Sequence, residues 1–370
     1  MNKKNLQKVI ELRHLLHQHP ELSMEEKWTK KTLITFLKEH TNLVIQDRGQ
    51  WFYAAYQKGK EYKNIAFRAD FDAIKVEEGI ELSYGSKNPG VAHKCGHDGH
   101  SAVLVALAME VDQQGADQNV FFLFQHGEEI AKGAAECREI IDEEEIDEIY
   151  AFHNRSGAPR HAIQVIDGTS NFGSVGMVIE MKGSPTHASQ PEFGKNPAYA
   201  IARVITGLEK ATKEAGSQGM LLSTVVGVDV GEEAFGIAAS EGKLLVTLRG
   251  EIEAELERLL RAVEKKAGIE GAADGLDVKI SYEDRFPVTS NNKKSVDKVR
   301  RVAKEKGLTV IELKEAMRGS EDFGYYLEKT KGALFFIGNG EDHPEIHTEE
   351  YDFPDDIIET AVNMFMGLLK

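Results

Sequence analysis

Hydrophobic and polar positions follow two different rhythms along the chain. Four stretches, NIAFRADFD (64–72), NVFFLFQHGEE (119–129), IYAFHN (149–154) and ALFFIGNG (333–340), each run a short apolar or aromatic core straight into polar, titratable or glycine-rich residues. That pattern predicts buried strands feeding loops. Helical patterns at 101–111 and 133–141 separate the first three, which is the βαβ rhythm of an open, mostly parallel sheet. In EEKWTKKTLITFLKEH (25–40), Trp28 and Phe36 lie two turns apart and Leu33 and Leu37 one turn apart, the core-facing side of an amphipathic helix.

From about Gly173 the rhythm changes. Strand patterns at 174–183, 219–230, 242–253 and 279–287 alternate with helical ones at 194–212 and 254–267, an antiparallel α+β layout. After Pro287 the helical VDKVRRVAKEKG (296–307), a helix in GSEDFGYYL (319–327) and the last strand restore the first character. The expected architecture is therefore α/β: one domain with an open, mostly parallel sheet, built from residues 1–172 and 287–370, and an inserted α+β domain of residues 173–286.

Composition narrows the function. With 370 residues and 41% hydrophobic content the chain can form substantial cores. Its 45 basic against 61 acidic residues give a formal charge of −16, which opposes attraction to phosphate backbones and anionic lipid, so neither nucleic acid nor membrane is an expected partner. No apolar run has the length of a membrane span, and MNKKNLQKVIELRHLL alternates charge with apolar residues, so a cytoplasmic address is expected. Only Cys95 and Cys137 occur, too few for a disulfide scaffold, and Cys95 has a better use as a ligand.

That use lies in HKCGHDGH (93–100), where histidines, a cysteine and an aspartate are packed before the apolar 101–111 run. Thiolate, imidazole and carboxylate are the ligand types of zinc. A set such as Cys95, His97, Glu129, His153 and one more histidine exceeds what one tetrahedral ion uses, and so argues for two divalent metals sharing a ligand. Asp70, Asp72, Glu128, Glu129 and His153 follow strand patterns, which gathers them with the Cys95 cluster along one rim of the sheet. Of the adjacent Glu128 and Glu129, one can bind metal while the other stays free as a general base. His14, His17 and His19 sit at a helix end and stay unassigned, and the acidic run 142–145 reads as a solvated helix end. A proline-bounded loop, GSPTHASQP (183–191), carries the single histidine His187, and EDHPEIHTEEYDFPDD (341–356) carries His343 and His347.

LLHQHPELSMEE, RADFDA, VAHKCGHDGH, FQHGEE, AFHN, GSPTHASQPEFGKNP, GSEDFGYY and IHTEEYDFPDD resemble, in this order, the successive motifs of the dinuclear-metal aminoacylase and carboxypeptidase superfamily, in its indole-acetyl-amino-acid hydrolase-like amidohydrolase branch. The resemblance spans nearly the whole chain. It implies a metal-dependent amidohydrolase acting on an N-acyl amino acid or a related small amide, with a metallo-dipeptidase or carboxypeptidase, or a non-catalytic small-molecule binding protein on the same scaffold, as the alternatives. It implies two zinc or manganese ions, with cobalt or nickel able to substitute, and an inserted lid domain that mediates a homodimer. It assigns Cys95, His97, Glu129, His153 and His347 as ligands, Glu128 as general base, His187 as the lid histidine at the scissile group, Asp70 and Asp72 as acids behind the ligands, and Arg249 toward substrate. The chain departs from the branch at His126, where proline and alanine are usual between the glutamine and the glutamates. It also departs at Phe235-Gly236-Ile237-Ala238, where an asparagine and an Ile-Pro pair are usual, and at Thr348-Glu349-Glu350 after the last histidine.

Overall fold

The computed structural model describes residues 1–216 and 218–370. They form two compact units: residues 1–170, 289–315 and 321–370 make the first, and residues 171–288 with 316–320 the second.

The first unit is built on an eight-stranded sheet whose four central strands, in spatial order Asn119–Gln125, Asn64–Asp70, Glu148–Ser156 and Lys331–Gly340, are all parallel. Antiparallel partners extend both sides: Trp51–Tyr56 and then Val44–Arg48 beyond Asn119–Gln125, and Ile163–Val165 beyond Lys331–Gly340, with Val310–Glu312 parallel at that edge. The predicted sheet is present; the short outer strands carry too few residues to show a periodicity of their own. The central strands are buried along most of their length, as continuous apolar runs in a covered parallel sheet require.

Helix His97–Gln114 is the axis of this unit. It is buried from His97 to Val111, against the sheet and the helices Lys3–Gln18 and Ile357–Leu368. It begins at His97, so His97, Asp98 and His100 stand in its first turn instead of in a loop before it. In helix Lys27–His40 the buried stripe is Thr29, Leu33 and Leu37, with Trp28 and Phe36 half-buried on its flanks. The helix expected over 133–141 breaks at Arg138 into Gly133–Cys137 and Glu139–Glu143. GSEDFGYYL is helical only over Gly324–Leu327: Gln125 and Arg68, distant in sequence, hold the Asp322 and Glu321 carboxylates, and Glu321 also accepts from the Phe323 N–H at 3.1 Å. The acidic run after Ile141 is largely exposed, as read.

The second unit has a four-stranded antiparallel sheet in the order Leu221–Val230, Glu241–Gly250, Gly173–Lys182, Asp277–Phe286. Its core alternates along the strands, with Val175, Met177, Ile179 and Met181 buried beside Leu244, Val246 and Leu248, and helices Pro197–Ala215 and Glu253–Ala273 pack on it. A two-stranded ribbon pairs Ile237 with His187 and Ala238 with Thr186.

Candidate active site

The site grows from the turn that starts helix His97–Gln114. Gly96 has φ +98°, and a Cβ on it would meet Asn154 Oδ1 at 2.5 Å and the Tyr351 hydroxyl at 2.9 Å. Only glycine satisfies both the left-handed backbone and the close approach. This lets Cys95 and His97 turn to one point. His153 comes from the strand Glu148–Ser156, three residues before its end, beyond the Glu148–Tyr150 stretch registered with Asn64–Asp70. Glu128 and Glu129 follow the strand Asn119–Gln125 through Gly127, whose φ is +56° and whose N–H donates to Glu26 Oε1 at 2.8 Å. His347, on the C-terminal loop, holds a left-handed φ of +65° and donates its backbone N–H to the Lys94 carbonyl at 2.7 Å.

Among the described residues five groups of potential ligand atoms have their members within 4.8 Å of one another, and three of them join the residues expected as ligands and base: Cys95, His97 and His153; Cys95, Glu129 and His347; and His97, Glu128 and Glu129. Cys95 Sγ lies 3.4 Å from His153 Nε2, and Glu129 Oε1 lies 3.4 Å from His347 Nε2 and 3.8 Å from His97 Nε2. Hydrogen bonds fix the rings. Nδ1 of His97 donates to Asp72 Oδ1 at 3.0 Å, and Nδ1 of His153 donates to the Asn154 carbonyl at 2.7 Å, so both turn the Nε2 lone pair to the centre. His97 Nε2 and Glu129 Oε1 are buried without a hydrogen-bond partner. Buried polar atoms are otherwise almost always paired, and two orphans converging beside a thiol fit divalent cations of the zinc type.

Electrostatics point the same way. Burial pushes the Cys95 thiol well up, and Glu129, Glu128 and Asp70 add to it; burial also pushes His153 well down. Burial opposes charge on His97, yet Asp70 and Asp72 outweigh it and raise it to about 10. Burial first, then Glu321, Glu129 and Asp322, drive Glu128 well above the carboxylate range. A site this crowded with acids is relieved by added positive charge, and a bound cation inverts these preferences.

Asp72 supports two members at once, accepting from His97 through Oδ1 and from the Glu129 backbone at 3.0 Å and Ser23 Oγ at 2.7 Å through Oδ2. Asp70 reaches His100 Nδ1 at 2.6 Å and Arg68 at 2.5 Å, and His100 passes the chain on to Asn154 at 2.6 Å. His126 is turned to Glu136 at 3.1 Å and Cys137, and His343 donates to the Asp352 carbonyl at 2.8 Å; neither joins a ligand group. His187 and Arg249 belong to the second unit. The His187 ring is exposed, with Nδ1 accepting from Ser189 N at 3.1 Å, so the neutral ring carries its hydrogen on Nε2. Arg249 donates to the Arg318 carbonyl and to Ser320 Oγ, both at 2.9 Å.

Sequence reading missed the residues behind the site: Arg68, Gln125, Asn154, Glu321 and Asp322, all buried. For Arg68, Gln125 and Asn154 the signal was available as polar residues inside or at the end of strongly apolar stretches, where only a partner makes burial tolerable; Glu321 and Asp322 follow the polar KEAMRGS and carried no such signal.

Residues 66–370 match peptidase family M20/M25/M40. The hippurate hydrolase of Campylobacter jejuni is 30% identical over 96% of this chain and 94% of its own length. The N-acetyldiaminopimelate deacetylase of Lacticaseibacillus casei is 28% identical over 94% of this chain and 93% of its own. Among solved structures, a dinuclear metal binding peptidase of the M20 family from Bacillus subtilis superposes with a TM-score of 0.85 at 25% identity, covering 100% of this chain and 98% of that one.

Proposed function

The chain belongs to peptidase family M20/M25/M40, and from that premise we propose a two-metal amidohydrolase that splits an N-acyl amino acid into carboxylate and free amino acid. The observation that carries the reading is the pair of ligand triads sharing Cys95, with the orphaned His97 Nε2 and Glu129 Oε1 turned toward it. Cys95, His97 and His153 would hold one ion and Cys95, Glu129 and His347 the other. Two divalent ions of this kind polarise an amide carbonyl and bring the pKa of water toward ~7. The relatives named for hippurate and N-acetyldiaminopimelate support an N-acyl amino acid as substrate class. Zinc or manganese suits the mixed thiolate, imidazole and carboxylate set.

In this reading Glu128, buried beside that set, takes the proton of the attacking water and delivers it to the leaving nitrogen. Asp72 keeps His97 in the tautomer that offers Nε2 and pins the Glu129 backbone. Asp70 acts one step further back, through His100 and Arg68. His187 presents an Nε2–H suited to an oxyanion, and the inserted unit closes over substrate as a lid. Arg249 is committed to the segment 316–320, which favours support of that segment over direct substrate binding. Residues 1–172 and 287–370 form the catalytic domain in this proposal and 173–286 the lid. A homodimer through the lid is part of it, supported by the edge strand Leu221–Val230 with Val226 and Val228 exposed. So is a cytoplasmic location; no helix of the described residues is long and apolar enough to cross a membrane.

The test is a panel of N-acyl amino acids and dipeptides assayed with zinc, manganese and cobalt. N-acyl amino acids should be the better substrates by kcat/KM. A best substrate among the dipeptides would replace this reading with a dipeptidase, and no hydrolysis of either class under any metal would remove both.

A further inference from the structure

Behind Glu128 lies a buried network of which the proposed reaction uses only the Arg68–Asp70 arm. The Asp322 carboxylate is fully buried and takes Arg68 Nη2 at 2.7 Å, Gln125 Nε2 at 2.9 and 2.8 Å, and the Ala134 backbone N–H at 2.9 Å. Its own backbone N–H donates to Glu128 Oε1 at 3.3 Å. Arg68, also buried, spreads one guanidinium over Asp70 at 2.5 Å, Glu321 at 3.0 Å and Asp322, and gives Nε to Gln125 at 2.7 Å. Tyr326 closes the far end with its hydroxyl on Gln125 Oε1 at 2.8 Å.

Glu128, Glu321 and Asp322 bring carboxylate oxygens within 4.8 Å of one another. Repulsion from Glu321 and Asp322 would swing an ionised Glu128 carboxylate away from them. What opposes the swing is one donor, the Asp322 N–H, and that donor is only as fixed as residue 322. Asp322 is fixed from three directions. Arg68 and Gln125 stand on neighbouring parallel strands, with Arg68 in register with Leu123 and Asp70 with Gln125. Gln125 is three residues before Glu128, so the same strand ends that carry Asp70 and Glu128 also hold the turn that aims Glu128.

We propose that Asp322, clamped by Arg68 and Gln125, is the positioning residue that sets the direction of Glu128. The proposal rests on the role given to Glu128 above. Asp322 touches neither substrate nor reacting atoms; it acts through its backbone N–H, and its carboxylate is the anchor. The same clamp ties Asp70, and through it His100 and Asn154, to the carboxylate.

The experiment uses full-length zinc-loaded protein as wild type, Asp322→Asn, Arg68→Lys and Tyr326→Phe, with crystal structures, zinc content, and kcat and KM on benzoyl-glycine. Asp322→Asn loses the charge that Arg68 and Gln125 grip, and Arg68→Lys loses the fork. Both should keep wild-type zinc, displace the Glu128 carboxylate and lower kcat ~10²-fold, the cost of roughly 1 Å of misplacement, with KM within about threefold. Tyr326→Phe removes only the outermost hydrogen bond and should lower kcat several-fold; it carries the test if the first two do not fold. A Glu128 carboxylate that stays in place in the variants overturns the proposal, as does a lowered Tm with unchanged kcat per zinc-loaded molecule. If wild type does not cleave benzoyl-glycine or other N-acyl amino acids, the functional reading fails, and the crystallographic displacement still decides the positioning claim.

Discussion

The first turn of helix His97–Gln114 separates two polar clusters of opposite kind. On one side His97 and Glu129 each keep a buried atom without a hydrogen-bond partner, among residues that converge on Cys95. On the other, Asp98 accepts from His17 Nδ1 at 2.9 Å and lies 3.6 Å from Arg13, while His17 gives its Nε2 to Glu78 at 2.9 Å. Lys94 closes that side on Glu78 and on the Tyr351 carbonyl at 2.7 Å. Charge density alone does not distinguish them. Convergence does: on the paired side Asp98, His17, Glu78 and Lys94 bind one another and the backbone, and the unpaired Arg13 Nε and Nη2 are donors among carboxylates, whereas His97 Nε2 and Glu129 Oε1 converge beside Cys95 with capacity left for a cation. His93 fits neither side, since both its ring nitrogens are buried without a partner, burial lowers it to about 4, and it joins no ligand group.

The comparison is sharpened most by removing what the orphaned side is built to hold. Chelation should abolish turnover while helical circular dichroism persists, because the core on the sheet does not include the proposed ligand residues. Cys95→Ala, which breaks both triads at once, should reduce bound metal from two ions per chain to fewer than one by elemental analysis. Two tightly bound ions in Cys95→Ala would show that the triads do not share the thiolate.

Glu128→Gln should retain two ions and lose ~10²–10⁴-fold in kcat, since an amide cannot accept the proton of water. Glu129→Gln should instead weaken metal affinity. Equal metal loss in both would erase the distinction between base and ligand. A smaller effect, ~10²–10³-fold in kcat with metal unchanged, is expected for His187→Ala if its Nε2–H meets developing oxyanion charge. Wild-type kcat in that variant would leave His187 as nothing more than a strand residue of the ribbon.

The four central strands and the antiparallel insert were legible because long apolar runs and their change of rhythm survive in one dimension. The ligand candidates were legible because Cys95, His97, Glu128, Glu129 and His153 sit within or next to those runs. His347 depended on the motif resemblance, since nothing local separates it from His343; the structure turns His343 to the Asp352 carbonyl and His347 to Glu129. What could not be read is pairing across long separations. Asp98 looked like a member of the metal-capable octet until His17, 81 residues away, took it. GSEDF looked like a helix start until Arg68 and Gln125 claimed Asp322. Helical periodicity counts neighbours three and four apart and is blind to partners that arrive from another strand.

The smallest expected effect tests the paired side directly. His17 is buried, and burial alone would keep it neutral; hydrogen bonds to Asp98 and Glu78 outweigh burial and the repulsion of Arg13, and raise it from 6.5 to about 9. Asp98 is correspondingly held well below the carboxylate range, and Glu78 at about 2. The groups facing the ring also include Asp352 at 3.8 Å and the neutral His93. Because the folded chain holds this proton more tightly than the unfolded one, the stabilisation is complete below pH ~6.5 and is lost as pH rises through about 9. The whole shift corresponds to at most about 3 kcal/mol, and the same pairing accounts for the lowered Asp98 and Glu78, so it is counted once. Urea unfolding of metal-loaded protein should therefore lose stability between pH 6.5 and 9, and His17→Gln should flatten that slope while changing kcat less than any substitution on the orphaned side. If His17→Gln kept the full slope, the proton would reside elsewhere, and the contrast between the two sides of the helix turn would rest on geometry alone.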